Sequence, residues 1–114
     1  MAYKVRILPP AADFLDALPD RLRAKAVREI TLLQEFGPFL REPHAKKVTG
    51  WQGLFELRVA LGTDACRFFY FWDGEQIAVI ASGYIKKGMK LERRKLERAV
   101  RLMKAYRENE GAGR

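Results

Sequence analysis

The chain has 114 residues, 48% of them apolar, and a formal net charge of +8. That length suits one domain with a single modest core, and that apolar content excludes a disordered chain. The lone cysteine, Cys66, excludes an intramolecular disulfide, no cysteine–histidine spacing reads as a metal site, and no apolar run approaches the ~20 residues that span a bilayer.

The first stretch, "YKVRILP", alternates: Tyr3, Val5 and Ile7 point one way, Lys4 and Arg6 the other. This pattern predicts a half-buried strand stopped by Pro9-Pro10. "AADFLDALP" predicts a short helix with Phe14, Leu15 and Leu18 on one face. Asp20 is placed to cap a second helix, Arg21 to Phe36, which buries Leu22, Ala26, Ile30 and Leu33 and ends at Gly37-Pro38. Residues 38–53 read as a long loop carrying Lys46 and Lys47. Three strands follow, over 54–61, 66–72 and 76–85, with Asp73-Gly74 as a hairpin signal between the last two. A loop leads to a helix from Leu91 to Arg107, whose apolar face is Leu96, Ala99, Val100, Met103 and Tyr106, and residues 108–114 read as a flexible tail. The order β-α-α-β-β-β-α predicts one α+β domain over residues 1–114. It has a small antiparallel sheet, two N-terminal helices on one face and a basic C-terminal helix.

A four-residue turn, "GTDA", would set Leu61 opposite Cys66. Phe55, Leu57, Val59, Leu61, Cys66, Phe68, Tyr70 and Trp72 then share the core face. Glu56, Arg58, Ala60, Arg67, Phe69 and Phe71 share the other. In that register Arg58 and Arg67 are diagonal neighbours, roughly 7–8 Å apart at their backbones. A one-residue slip would bury Arg67 in the core, so the face assignment is favoured. Two adjacent guanidinium groups repel unless an anion lies between them, and guanidinium matches phosphate oxygens bidentately. Phe69 and Phe71 beside them would stack on unpaired bases, unless they pack under the C-terminal helix. Arg58 has a plainer reading as a partner for Glu56 or another carboxylate.

The charge is localised. Between Lys86 and Arg107 stand ten basic and two acidic residues, and the remainder of the chain holds twelve of each. The whole excess therefore lies in one segment. A patch of that kind attracts a polyanion, or an acidic protein, through Coulomb attraction and counterion release.

"GLFELRVALGTDACRFFYFWDGEQIAVIASGYIKKGMK" resembles the signature of the RelE/HigB superfamily of toxins, in its phage-derived HigB-like branch. The shared pattern is an aromatic-Glu-Leu-Arg strand, an Arg-aromatic-aromatic-Tyr strand and a hydrophobic strand ending in aromatic-x-Lys-Lys. The upstream "EPHAKKVTGWQGLFELR" fits the same pattern. The resemblance implies a cytoplasmic type II toxin, an endoribonuclease that cleaves mRNA on the ribosome. It implies no metal or other cofactor: the RNA 2′-hydroxyl attacks the adjacent phosphate. It also implies a cognate antitoxin, a small helix-turn-helix protein encoded next door. Arg67 falls at the position expected to hold the scissile phosphate, Lys86 and Lys87 at the basic position after the last strand, and Arg58 at the Glu-Leu-Arg arginine. Tyr84 is left as an acid or base, with the loop residue His44 behind it. Residues 88–105 hold no tyrosine or histidine, Leu91 stands where many members have proline, and Phe55 and Glu56 replace the central-strand lysines of some members. Flanking RNA is expected on Lys46, Lys47, Phe69, Phe71 and Lys90. Ribosomal RNA or an acidic antitoxin is expected on Arg94, Arg98 and Arg101. The rival readings are a gyrase inhibitor like the ParE branch, and a relative that binds antitoxin or nucleic acid without catalysis.

Overall fold

A computed structural model describes residues 2–89 and 92–112. Strand β1 (Lys4–Ile7) leads into helix α1 (Pro9–Ala17), where Pro9 and Pro10 occupy the first turn, the place in a helix that needs no amide donor. Leu18 is extended ahead of Pro19, as the residue before a proline prefers, and this breaks α1 from α2 (Asp20–Phe36). Asp20 is not a cap as expected. It lies inside the first turn of α2, and its carboxylate pairs with Arg23 at 2.7 Å. Gly37 ends α2 with φ at +54°, and the ring of Tyr3 fills the space a Cβ would need there.

The loop expected over 38–53 is interrupted. After a 3₁₀ turn (Gly37–Phe39), residues Ala45–Lys47 form a strand, β2, antiparallel to β3 (Phe55–Leu61). Three residues without alternation carry no strand signal of their own, and the ladder to β3 makes them one. β3 and β4 (Asp64–Asp73) join through Gly62-Thr63, a two-residue turn with Gly62 at φ +61°, not through four residues. The register therefore differs from the expected one by two: Leu61 faces Asp64, and Arg58 lies directly opposite Arg67, not diagonally. An even shift leaves every side chain on its expected face. β5 (Ile77–Ile85) pairs with β4, with Ala81 as an extra residue between the Tyr70–Ile80 and Phe69–Ser82 pairs.

The sheet order is β1-β5-β4-β3-β2, and β1 runs parallel to β5. The sheet is thus mixed, where an antiparallel one was expected. α1 and α2 cover one face through Ala11, Leu22, Ala26 and Leu33 against Leu57, Val59, Phe68 and Tyr70. Helix α3 (Arg93–Ala112) covers part of the other, setting Leu96, Ala99, Val100 and Met103 on Phe69, Phe71 and Val79. It starts two residues later than expected and continues past Arg107. Phe69 and Phe71 are fully buried beneath it, so neither ring is available to stack on a base. Truncating such a ring costs roughly 3–5 kcal/mol.

The far end of α3 is pinned by polar contacts. The Tyr106 hydroxyl accepts a hydrogen bond from Arg6 at 2.7 Å and donates one to Asp73 at 2.7 Å, and the Arg107 guanidinium lies 5.4 Å from the Phe71 ring centre. Anchored there, α3 leaves the β3–β4 surface around Arg58 and Arg67 uncovered. Among the described residues no helix is long and apolar enough to cross a membrane.

Candidate active site

Beyond the edge of α3, alternation along "FELR" puts Glu56 and Arg58 on one face of β3, and the ladder sets Arg67 of β4 opposite Arg58. Two guanidinium groups so placed repel, and a single carboxylate answers both. Glu56 Oε1 lies 3.5 Å from Arg58 Nε and 3.6 Å from Arg67 Nε. Arg58 also lies 4.0 Å from the exposed carboxylate of Glu42, and Arg67 donates to the Cys66 carbonyl at 3.3 Å. The Glu56 side chain is 12% exposed, against 27% for Arg58 and 15% for Arg67, so the pairs are partly shielded from solvent.

Tyr84 stands opposite Arg67 on β5, stacks on Phe69 with ring centres 5.3 Å apart, and donates its hydroxyl proton to Glu56 Oε2 at 2.8 Å. Burial holds its phenol proton far above the usual range near 10. The hydrogen bond to Glu56 and that residue's negative charge add to the effect, and Arg67 and Arg58 oppose it only in part. Tyr84 is thus a buried anchor for Glu56, where an acid or base facing substrate was expected. Burial likewise pushes the neighbouring Cys66 thiol up to about 11, with Arg67 pulling the other way, so Cys66 is no nucleophile at neutral pH.

The cleft over this cluster is lined by Lys46, Lys47, Glu56, Arg58, Arg67 and Lys86, with Val48, Thr49 and Met89. Lys86 is held there by its amide on the Ala65 carbonyl at 2.9 Å and its ammonium on the Met89 carbonyl at 3.3 Å. Five cations against one carboxylate make a strongly positive cleft with fixed donors at its base. Lys87 is separated from it. That residue lines another cleft, between α1 and α3, with Asp13, Phe14, Ile85, Lys95 and Arg98. Consecutive residues leaving a strand point to opposite sides, so the Lys-Lys pair is split between two surfaces. Arg94, Arg98 and Arg101 form an exposed stripe on α3 with Arg93 and Lys95, away from the arginine pair. Lys90 lies outside the described residues. His44 bonds through Nδ1 to the buried carboxylate of Glu29 at 2.8 Å and takes no part in the cleft. Among the described residues no three histidine, cysteine or acidic side chains gather as a metal site.

Glu56 is the component that sequence reasoning misses. Alternation places it on the arginine face, but as a replacement for the lysines of other members it carries no assigned role. Its signal is the i, i+2 spacing to Arg58. The assembled arrangement can bind a tetrahedral oxyanion on two converging guanidiniums, with Glu56 occupying their donors when no anion is bound.

A family model described as "Phage derived protein Gp49-like" matches residues 13–104. Among solved structures, the chain is similar to a mutant of the E. coli toxin RelE in the free state, at 19% identity over 89% of this chain and 97% of that one, with a TM-score of 0.65. It is also similar to the isolated E. coli RelE toxin, at 15% identity over 85% and 98%, TM-score 0.61. A third likeness is to the archaeal RelE–RelB complex of Pyrococcus horikoshii, at 22% identity over 78% and 100%, TM-score 0.56. At these identities the likeness is one of fold. No curated protein matches the sequence.

Proposed function

Because the chain belongs to the phage-derived Gp49-like family and has the fold of RelE toxins, we propose that it is the toxin of a type II toxin–antitoxin pair. In this reading it is a cytoplasmic endoribonuclease that cleaves mRNA on the ribosome and is silenced by a cognate antitoxin. The observation that carries the reading is the Arg58–Arg67 pair, facing across one ladder rung over a shared carboxylate in a cationic cleft. An RNA phosphate entering the cleft takes the guanidinium donors from Glu56. Arg67 and Arg58 then neutralise the charge that builds on the pentacoordinate phosphorus, the effect that most often dominates such catalysis. The 2′-oxygen bonds to phosphorus as the bond to the 5′-oxygen breaks, leaving a cyclic phosphate. Glu56, steadied by Tyr84, is the carboxylate nearest to accept the 2′-hydroxyl proton, and Lys86 on the rim is the donor to the leaving oxygen. Lys46 and Lys47 hold flanking phosphates. Lys87 and the α3 stripe serve the ribosome or the antitoxin.

The antitoxin part of the reading is supported by relatives of the same fold that are seen in toxin–antitoxin complexes, the E. coli RelBE complex among them. A second reading, a relative that binds its partner without cutting RNA, is favoured by one feature. Tyr84 is committed to Glu56 and His44 to Glu29, so no phenol or imidazole faces the cleft among the described residues. Primer extension on mRNA from cells expressing the protein separates the readings. Cuts within translated codons, lost in Arg67→Ala, support the nuclease. A DNA damage response without cuts points to gyrase, and normal growth with folded protein leaves the non-catalytic relative.

A further inference from the structure

A groove on the opposite face of the sheet from the arginine cleft has the chemistry of a nucleobase site. Helix α2 stops at Phe36, and the chain turns through Pro38 and Leu40 towards β2 without covering the aromatic residues at this end of the sheet. Phe55 of β3 and Tyr70 of β4 face each other on the ladder and stack with ring centres 5.3 Å apart. Trp72 meets Tyr70 edge-on at 6.5 Å. Phe55 and Trp72 are only half-buried. The floor is thus a continuous aromatic surface in a groove of about 910 Å³, a size that suits a small ligand or a single base.

One polar atom of that floor has no partner. Tyr70 is 2% exposed, and its hydroxyl bonds to no described residue. Yet among the described residues no unpartnered side-chain oxygen or nitrogen is sealed from solvent, so this hydroxyl opens on the groove that Tyr70 lines. A ring edge that carries an acceptor satisfies it, and an apolar side chain does not. The rim carries Arg41, Lys46 and Lys47, none of them in an ion pair among the described residues. The one acid there, Glu42, lies 4.0 Å from Arg58. Lys46 pairs with Glu56 and Lys47 with Phe55, so alternation sends Lys46 to the arginine face and Lys47 to the groove face. Both lysines, with Thr49, line the two clefts.

We infer that the groove holds the base of a nucleotide flanking the phosphate on Arg58 and Arg67, with the RNA backbone crossing the β2 rim between Lys46 and Lys47. The base stacks on the Phe55 and Trp72 rings and accepts a hydrogen bond from the Tyr70 hydroxyl. The inference rests on the nuclease reading for the identity of the arginine-bound phosphate, and adds to it a subsite that reads a base. Charge complementarity selects this occupant. A lysine on each side of the rim suits a backbone that continues from one cleft to the other, where a free mononucleotide uses one side only. An apolar partner leaves the Tyr70 hydroxyl and the three rim cations unanswered. A second copy of this chain brings like charges together at the rim.

The test titrates the full chain with 2′-O-methyl tetraadenylate, which attack by a 2′-oxygen cannot cut, following binding by calorimetry and chemical shifts. The expected result is saturable binding that shifts Phe55, Tyr70 and Trp72 together with Arg58 and Arg67. Phe55→Leu keeps an apolar side chain and removes the stacking face, so it should weaken binding about tenfold. Tyr70→Phe should weaken it about fivefold. Binding of inorganic sulfate on the arginines should be the same in both variants as in the wild type. If Phe55→Leu does not fold, the wild type is titrated with the same tetranucleotide lacking its 5′-terminal or its 3′-terminal base, and one of the two must bind about tenfold more weakly. Equal binding by folded Phe55→Leu, or by both abasic probes, overturns the inference. So does adenosine monophosphate binding as tightly as the tetranucleotide. So do groove shifts produced by a leucine-rich peptide and not by the oligonucleotide, or by raising the protein concentration alone. A tenfold loss in Phe55→Leu without mRNA cuts in cells keeps the groove and removes the nuclease. Cuts in cells with equal binding by Phe55→Leu do the reverse.

Discussion

Arg58 and Arg67 face each other across β3 and β4, and one carboxylate, that of Glu56, lies within 3.6 Å of both. In the proposed reading this arrangement is a phosphate site held in a neutralised form. Without Glu56, two guanidiniums in a partly buried site would repel. With it, their donors are held in place until a stronger anion takes them.

Arg67→Ala should lower mRNA cleavage by about 10²–10³, the loss of roughly 2.7–4 kcal/mol of transition-state stabilisation typical of one well-placed donor. Thermal unfolding should change modestly, because the side chain lies outside the apolar cores and Glu56 keeps Arg58 and Tyr84 as partners. Cleavage rates of the purified chain on programmed ribosomes, beside a melting curve, decide the matter. Wild-type cleavage in Arg67→Ala would misplace the site.

Glu56→Gln should separate binding from chemistry. The amide still accepts the Tyr84 proton but no longer competes as an anion, so inorganic sulfate or phosphate should bind the cleft more tightly. Cleavage should nevertheless fall, because the acceptor for the 2′-hydroxyl proton is gone. Anion titration followed by amide shifts, together with single-turnover cleavage, reads both. Unchanged cleavage would remove Glu56 from the chemistry and leave it only the arginine-holding role.

Stability should fall on the alkaline side. Burial raises the Cys66 thiol from about 9 to about 11 and holds the Tyr70 and Tyr84 phenols well above their ordinary range near 10. Above pH 9 the unfolded chain releases these protons first. It then binds fewer protons than the folded chain, and the free energy of unfolding declines with pH. The stabilisation is complete below pH 9, and the Cys66 part is lost between about 9 and 11. Urea unfolding at a series of pH values should show this slope, and it should be shallower in Cys66→Ala over that window. A flat profile from pH 8 to 11 contradicts the burial argument.

Reversing Arg94, Arg98 and Arg101 together to glutamate should leave melting unchanged, because all three are exposed on α3 while Leu96, Val100 and Met103 hold the helix down. Ribosome binding over a salt series should weaken, and the log–log slope should fall by close to one unit for each phosphate that the helix no longer neutralises. An unaltered slope identifies the stripe as a solvated helix face.

The sequence by itself determined what local spacing controls. Alternation along residues 55–61 and 66–72 placed Arg58 and Arg67 on one face and Leu57, Val59 and Phe68 on the other, because a strand's side chains repeat every two residues. Proline and glycine positions bounded α1 and α2, and the charge count located the cationic α3. The fold of the RelE toxins was legible in the order of these elements and in the motifs that carry them. Only the tertiary structure decided the rest, because each remaining feature depends on a partner far along the chain. An even register shift moves no residue to another face, so alternation could not distinguish the diagonal Arg58–Arg67 placement from the direct one. β2 is three residues made into a strand by hydrogen bonds to β3. Phe69 and Phe71 are buried by α3, which arrives 22 residues after Phe71. The Lys86–Lys87 pair was split by the end of β5. Glu56 became the centre of the site when Tyr84, 28 residues away, was brought to its carboxylate by the neighbouring strands.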